Sequence, residues 1–195
     1  MVSKVHPQQR LQLYLLSSLF AGLTAVGASI RIPLADVPIT LQTFFVMLAG
    51  ALLGAHFGAL SQVIYLAIGL LGAPVFSQGG GPGYVFQPTF GYLVAYPIAA
   101  FVIGSLLERQ VHDRAFWNIC AVFAVGVLII LLLGAAVFYY NLKWVAGKSI
   151  SFETLMMSYF LIFIPGDVIK IILAALVSIK LQRVFKVSQS GRYGV

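Results

Sequence analysis

The chain has 195 residues, of which 61% are hydrophobic and 9% charged, and its mean hydropathy of +0.99 is more than a soluble domain of that size can bury. An ordinary soluble protein is thereby excluded, and an integral membrane protein expected. The net charge of +7 would favour nucleic acid in a soluble chain, but the basic residues stand at the ends of apolar runs and read as orientation signals, so no nucleic-acid partner is expected.

In chain order, residues 11–29 supply about 28 Å of helix at 1.5 Å per residue, which matches the hydrocarbon thickness. The basic flank and small-residue end imitate a signal peptide, yet the apolar core exceeds the usual roughly 7–15 residues, so the segment reads as span one. Its small residues Ser17, Ala21 and Ala25, with Gly22, Ala28 and Ser29 offset, form a smooth stripe that lets another helix approach closely, either a neighbouring span or a second protein. The run 39–71 is too long for one crossing. Gly54, His56 and Gly58 in its centre predict a tight turn between short spans at 39–54 and 56–71. Residues 89–107, 116–138 and 152–180 complete six spans, with Tyr139, Tyr140 and Trp144 as interface aromatics. The expectation is one all-α, polytopic membrane domain covering residues 1–195. Cys120, the only cysteine, gives no disulfide framework and no cysteine metal cluster.

Orientation follows from Lys and Arg. With both termini cytoplasmic, that side collects Lys4, Arg10, Arg109, Arg114, Lys180, Arg183, Lys186 and Arg192, leaving Arg31, Lys143 and Lys148 outside, as the positive-inside rule favours. The connections 30–40, 72–88 and 139–151 then lie on the external face, where a solute arrives.

The connection 72–88 has the oddest composition. Gly79, Gly80, Gly81 and Gly83 permit positive φ and close backbone approach, while Pro74, Pro82 and Pro88 stiffen the segment, so no helix is predicted. Bare amides at Gly80 and Gly81 and the side chains of Gln78, Tyr84 and Gln87 are candidates for a lid over a small molecule; a flexible surface turn is the alternative. The glycines do not make a dinucleotide fingerprint, because the last glycine of G-x-G-x-x-G falls on Tyr84 or Phe86. Nor is Gly147-Lys148-Ser149 a phosphate loop, since position 142 is leucine and no strand precedes it. Any uphill movement of solute must draw on an ion gradient or another subunit.

An enzyme is not expected. An intramembrane aspartyl protease needs two facing carboxylates, but Asp167 is the only acid away from the ends of a span, and Ile164 occupies the first glycine position of a G-x-G-D pattern. A membrane serine protease needs Ser and His on facing helices, whereas His6, His56 and His112 lie at or near loops and are too dispersed for a metal site. No nucleophile, base and orienting group can be assembled.

The last span carries the strongest signal. Asp167 and Lys170, the only acid and the only base in the membrane-length apolar run 155–179, stand three residues apart and so share a helix face. Each costs roughly 2.5–3.5 kcal/mol at the bilayer centre, so such groups point into a bundle or wet cavity and mark a site; the alternative is an ion pair that only neutralises itself. Pro165 is expected to kink this helix and free the carbonyl of Leu161.

The order Ile39-Thr40-Leu41-Gln42-Thr43-Phe44, then Gly72-Ala73-Pro74-Val75-Phe76, the glycine cluster, Pro88-Thr89-Phe90-Gly91-Tyr92, and Pro165-Gly166-Asp167 with Lys170 resembles the BioY biotin transporter family over about residues 15–183. Members are six-helix substrate-binding S components of energy-coupling factor transporters. The resemblance implies capture of biotin from outside a bacterial plasma membrane, with no cofactor, for uptake driven by a transmembrane T component and two cytosolic ABC ATPases. It also turns Ala21 and Ala25 into contacts for the T component. Asp167 and Lys170 carry over as substrate-binding residues, joined by Gln42, Gln78, Gly80, Gly81, Tyr84, Gln87 and Tyr92; Phe90 departs from the pattern, which has a small residue there. The chemistry suits biotin: its ureido N–H groups meet a carboxylate, an ammonium meets the ureido oxygen or the valerate carboxylate, and apolar side chains enclose the sulfur ring. The rival from the residues alone is a small ion-coupled secondary transporter in which Asp167 cycles a proton.

Overall fold

The computed structural model of the protein describes residues 7–33, 37–110, 115–144, 147 and 151–190. His6, His112, Lys4, Arg114, Lys148, Ser149 and Arg192 lie outside the described residues, as do the side chains of Arg183 and Lys186.

Helix α1 (Pro7–Ser29) leads into a ribbon of two short antiparallel strands, β1 (Arg31–Ile32) and β2 (Ile39–Thr40), with Arg31 opposite Thr40. Then follow α2 (Gln42–Leu70), a 3-10 turn at Pro82–Phe86, α3 (Phe90–Arg109), α4 (Phe116–Trp144), α5 (Phe152–Tyr159), a second 3-10 turn at Leu161–Phe163 and α6 (Ile164–Ser190). The described residues contain five helical stretches long and apolar enough to cross a membrane: α1, α2, α3, α4 and the run Glu153–Gln182. The protein is therefore a helical, multi-pass membrane protein.

Helix α2 is two helical arms joined at a kink rather than one rod. Gly54 takes φ 80° and ψ −176°, a conformation that glycine alone adopts without strain, and the chain reverses there. A Cβ at Gly58 would stand 2.9 Å from the carbonyl oxygen of Ala49 and from Cα of Gly50, so the two arms touch backbone to backbone, as small residues permit. The arms, 42–53 and 55–70, measure about 18 Å and 24 Å at 1.5 Å per residue, each short of the ~30 Å hydrocarbon core. The bend is braced by α3: Glu108 Oε1 accepts from Ala55 N–H at 2.8 Å, satisfying a free amide at the start of the second arm, and Gly104 lies against the backbone of Gly54 and Ala55. Helix α1 packs on this hairpin, Ser17 Oγ donating to the Phe57 carbonyl at 3.0 Å. Helix α6 packs against α2 and α4.

Three expectations need correction. Residues 31–32 and 39–40 pair as a small β ribbon before the helix begins. The glycine-rich segment contains a 3-10 turn, with Pro82 at its start. The last span does not kink at Pro165. Phe160, at φ −128° and ψ −65°, breaks the helix, and Pro165 sits in the first turn of α6, where an absent N–H costs nothing. In addition, α4 continues through Trp144, so the exposed Tyr139, Tyr140 and Trp144 belong to its end, with Lys143 Nζ 5.9 Å and 5.6 Å above the Tyr139 and Trp144 rings.

The packing of α6 inverts the pattern of a soluble protein. Ile169 is 61% exposed while its neighbour Lys170 is 7% exposed and Asp167 4%, as a lipid-facing surface requires. Ala21 is 3% exposed and belongs to the protein's own core, taken up by packing on the α2 hairpin; the face open to a partner carries Leu15, Leu19, Gly22 and Val26, with Ala25 half-buried beside it.

If the Gly54 bend fixes the hairpin, Gly54→Val should cost about 2–3 kcal/mol through left-handed strain and collision with Glu108, lowering the apparent unfolding midpoint in detergent by roughly 5–10 °C. Gly22→Ala, where an added Cβ meets nothing within 4 Å, should shift it by less than about 2 °C. Equal midpoints for the two variants would contradict this role.

Candidate functional site

The first turn of α6 meets the first turn of α2, and the buried charges lie in that contact. Lys170 Nζ stands 2.5 Å from Asp167 Oδ1, donates to Thr43 Oγ1 at 2.7 Å and to the Thr40 carbonyl at 3.2 Å. All three donors of the ammonium are thus engaged. Thr43 closes the triangle, its hydroxyl donating to Asp167 Oδ1 at 3.4 Å while accepting from Lys170. The carboxylate also stands at the amino end of a helix, where the free N–H groups favour negative charge.

This network is one wall of a cavity. Tyr92, Leu93 and Tyr96 of α3, Ile130 and Leu131 of α4 and Phe163 supply apolar and aromatic sides, and Val37, Pro38 and Ser77 roof it from the β ribbon and the glycine-rich segment. About 40 Å³ is deep enough for the centre of a water molecule, against roughly 10–15 Å³ needed for one water. Polar groups therefore cluster at one side of a narrow, mostly apolar space, the arrangement of a small-molecule site.

Four of the residues singled out by sequence meet here: Asp167, Lys170, Gln42 and Tyr92 all line the cavity. Gln42 is locked in orientation, its Oε1 accepting from Thr40 Oγ1 at 2.9 Å and its Nε2 donating to Tyr65 Oη at 2.6 Å. Tyr65 Oη in turn donates to the Val75 carbonyl at 3.1 Å, so the cavity floor is hydrogen-bonded to the glycine-rich segment. The Tyr92 ring lies directly on Gly134, where no side chain fits between α3 and α4, and its hydroxyl donates to the Tyr159 carbonyl at 2.6 Å.

The other five stand outside the lining. Gln78 and Gln87 are exposed, and the Gln87 carbonyl accepts from Asn141 Nδ2 at 3.3 Å. Gly80 lies against the Ala73 carbonyl, and Gly81 N–H donates to the Gly69 carbonyl at 2.7 Å, pinning the segment to the end of α2. Tyr84 is buried under it, its ring centroid 4.6 Å from that of Phe76 and its hydroxyl 3.0 Å from Thr89 Oγ1. Thr89 itself lines the cavity, so Tyr84 stands one residue removed. The segment is a packed roof rather than a loose turn.

Sequence reasoning missed Thr43, Thr40, Tyr96 and Phe163. Thr43 bonds to groups 124 and 127 residues away, a relation with no local signal. A threonine beside the Gln42 already chosen, at the head of an apolar helix, was the available clue.

Comparison with known proteins identifies the family and the fold. The BioY family pattern matches residues 3–187. The probable biotin transporter BioY of Lysinibacillus sphaericus is 44% identical over 170 residues, covering 87% of this chain and 86% of the relative. The biotin transporter BioY of Thermotoga maritima is 37% identical over 168 residues, covering 86% and 94%. A crystal structure of the S-component for biotin from an ECF-type ABC transporter superimposes with a TM-score of 0.80 at 28% identity, over 92% of this chain and 95% of that one. A match of such length to the family, together with the shared fold, makes this chain a member of the BioY family.

Proposed function

We propose that this chain is a biotin-capturing S component, a transporter subunit that binds the vitamin at the external face and hands it inward with a T component and two ABC ATPases. The observation that carries the reading is the Asp167–Lys170–Thr43 network buried at one side of an apolar cavity. Asp167 accepts from the ureido N–H groups, Lys170 supplies positive charge to the ureido oxygen or the valerate carboxylate, and Gln42 adds an oriented amide. Tyr92, Tyr96 and Phe163 enclose the sulfur ring.

A biotin-sized guest needs more room than the cavity has, so the 30–42 ribbon and the 72–88 segment part to admit it and close over it. Within that segment Gln78, Gly80, Gly81, Tyr84 and Gln87 act as lid rather than floor, a role supported by the backbone bonds of Gly81 to α2 and of Gln87 to α4. Six crossings follow if each arm of the α2 hairpin counts as one short span, with both termini cytoplasmic. The first helix is the surface for the T component, Ala25 and Gly22 being better placed for it than Ala21.

Asp167→Asn and Lys170→Ala should each weaken biotin binding at least tenfold while the protein still folds, because a buried charge loses its partner. Titration of the purified variants with biotin checks this; wild-type affinity in either removes that residue from the site. In proteoliposomes, uptake should require ATP and the ATPase subunits. Uptake by this chain alone, driven by an ion gradient and indifferent to ATP, would establish the secondary-transporter alternative instead.

A further inference from the structure

A second space adjoins the first, and Ser77 lines both. The outer one, about 480 Å³, is bounded by Ser29 and Arg31 on one side and by Pro74, Phe76 and Gly79 on the other. Arg31 reaches across it from β1, its Nη1 donating to the Ser77 carbonyl. That bond ties the β ribbon to the glycine-rich segment, the two pieces of chain that together roof the inner cavity.

The charges are divided unequally between the two spaces. The inner lining holds Asp167 and Lys170, which neutralise each other, whereas among the described residues the outer lining holds one charged side chain, Arg31. Arg31 therefore presents a positive charge to the outer space. A guanidinium offers five N–H donors in a planar fork matched to a carboxylate, and a charge-assisted, bidentate pair is stronger than a bond to a neutral carbonyl. An arriving carboxylate thus outcompetes Ser77 for Arg31.

We propose that Arg31 is an outer docking site for the carboxylate of an approaching ligand, and that exchange of the Ser77 carbonyl for this carboxylate releases the latch between the outer space and the inner cavity. The ligand docks by its acid group, the ribbon and the glycine-rich segment part, and the rest of the molecule passes inward. Return of Arg31 to Ser77 then closes the roof behind it. The ligand class is a monocarboxylate with an uncharged ring system, and the choice of biotin as probe rests on the function proposed above.

Stopped-flow association and dissociation of biotin and of its uncharged primary amide test both halves, on intact protein in detergent. At about 10 mM salt the wild type should bind the acid roughly tenfold faster than the amide, and the gap should close near 0.5 M salt as the charge is screened. Arg31→Gln should abolish the gap at low salt, while Arg31→Lys, which keeps the charge, should retain it. Arg31→Gln should also speed dissociation of the amide roughly tenfold, because the latch is lost. An acid-to-amide ratio unchanged in Arg31→Gln overturns the docking site, and an unchanged amide dissociation rate overturns the latch. Partial unfolding of a variant lowers the bound amplitude but not the ratio, which is taken within one preparation. Wild-type protein that binds neither compound overturns the biotin reading as well, a result distinct from equal ratios.

Discussion

The hydrogen-bonded ion pair between Asp167 and Lys170 sets the terms for everything around it. Two charges at membrane depth are tolerated only when they are paired and their remaining hydrogen-bonding groups are met. Neither residue can do that within α6, since the helix supplies one partner to each. The rest comes from Thr43 and Thr40 at the head of α2, so burial of the pair requires α6 to dock on that spot. The cavity exists because the same contact leaves polar groups facing the tyrosines of α3 and the aliphatic side chains of α4 instead of lipid.

That docking depends on a hairpin whose geometry is held from outside. Gly54 provides the reversal, Glu108 occupies the freed amide, and the arms close to backbone contact at Gly58. The reversal returns Tyr65 to the level of Gln42, residues 23 apart in sequence but joined at 2.6 Å. From Tyr65 the bond to Val75 reaches the glycine-rich segment. A polar line therefore runs from the cavity floor to its roof through groups that would each be costly to leave unpaired in an apolar interior.

The parts of the fold legible in sequence were those written as local pattern. Apolar runs of bilayer length located the helical stretches, a glycine cluster located the turn at Gly54, and spacing placed Asp167 and Lys170 on one face. Other features depend on which of two equivalent packings the chain adopts. Ala21 and Gly22 both belong to small-residue stripes, and only the assembled hairpin buries one and leaves the other open. Pro165 carries the same signal whether it kinks a helix or begins one, and the break at Phe160, an ordinary residue, has none. In the glycine-rich segment the composition marked an unusual backbone, but not which side chains turn inward: Ser77 does, while Gln78 beside it does not.

The saturation of Lys170 has a consequence for selectivity. Its three protons are already committed to Asp167, Thr43 and Thr40, so no spare donor awaits a visitor, and entry at this position is substitution of one acceptor for another. The net gain is then the difference between two similar bonds, small for a mediocre acceptor and sizeable only for one that matches the whole cluster in shape and charge. Such a device rejects by indifference: a poorly fitting molecule meets no repulsion, yet leaves with nothing to hold it.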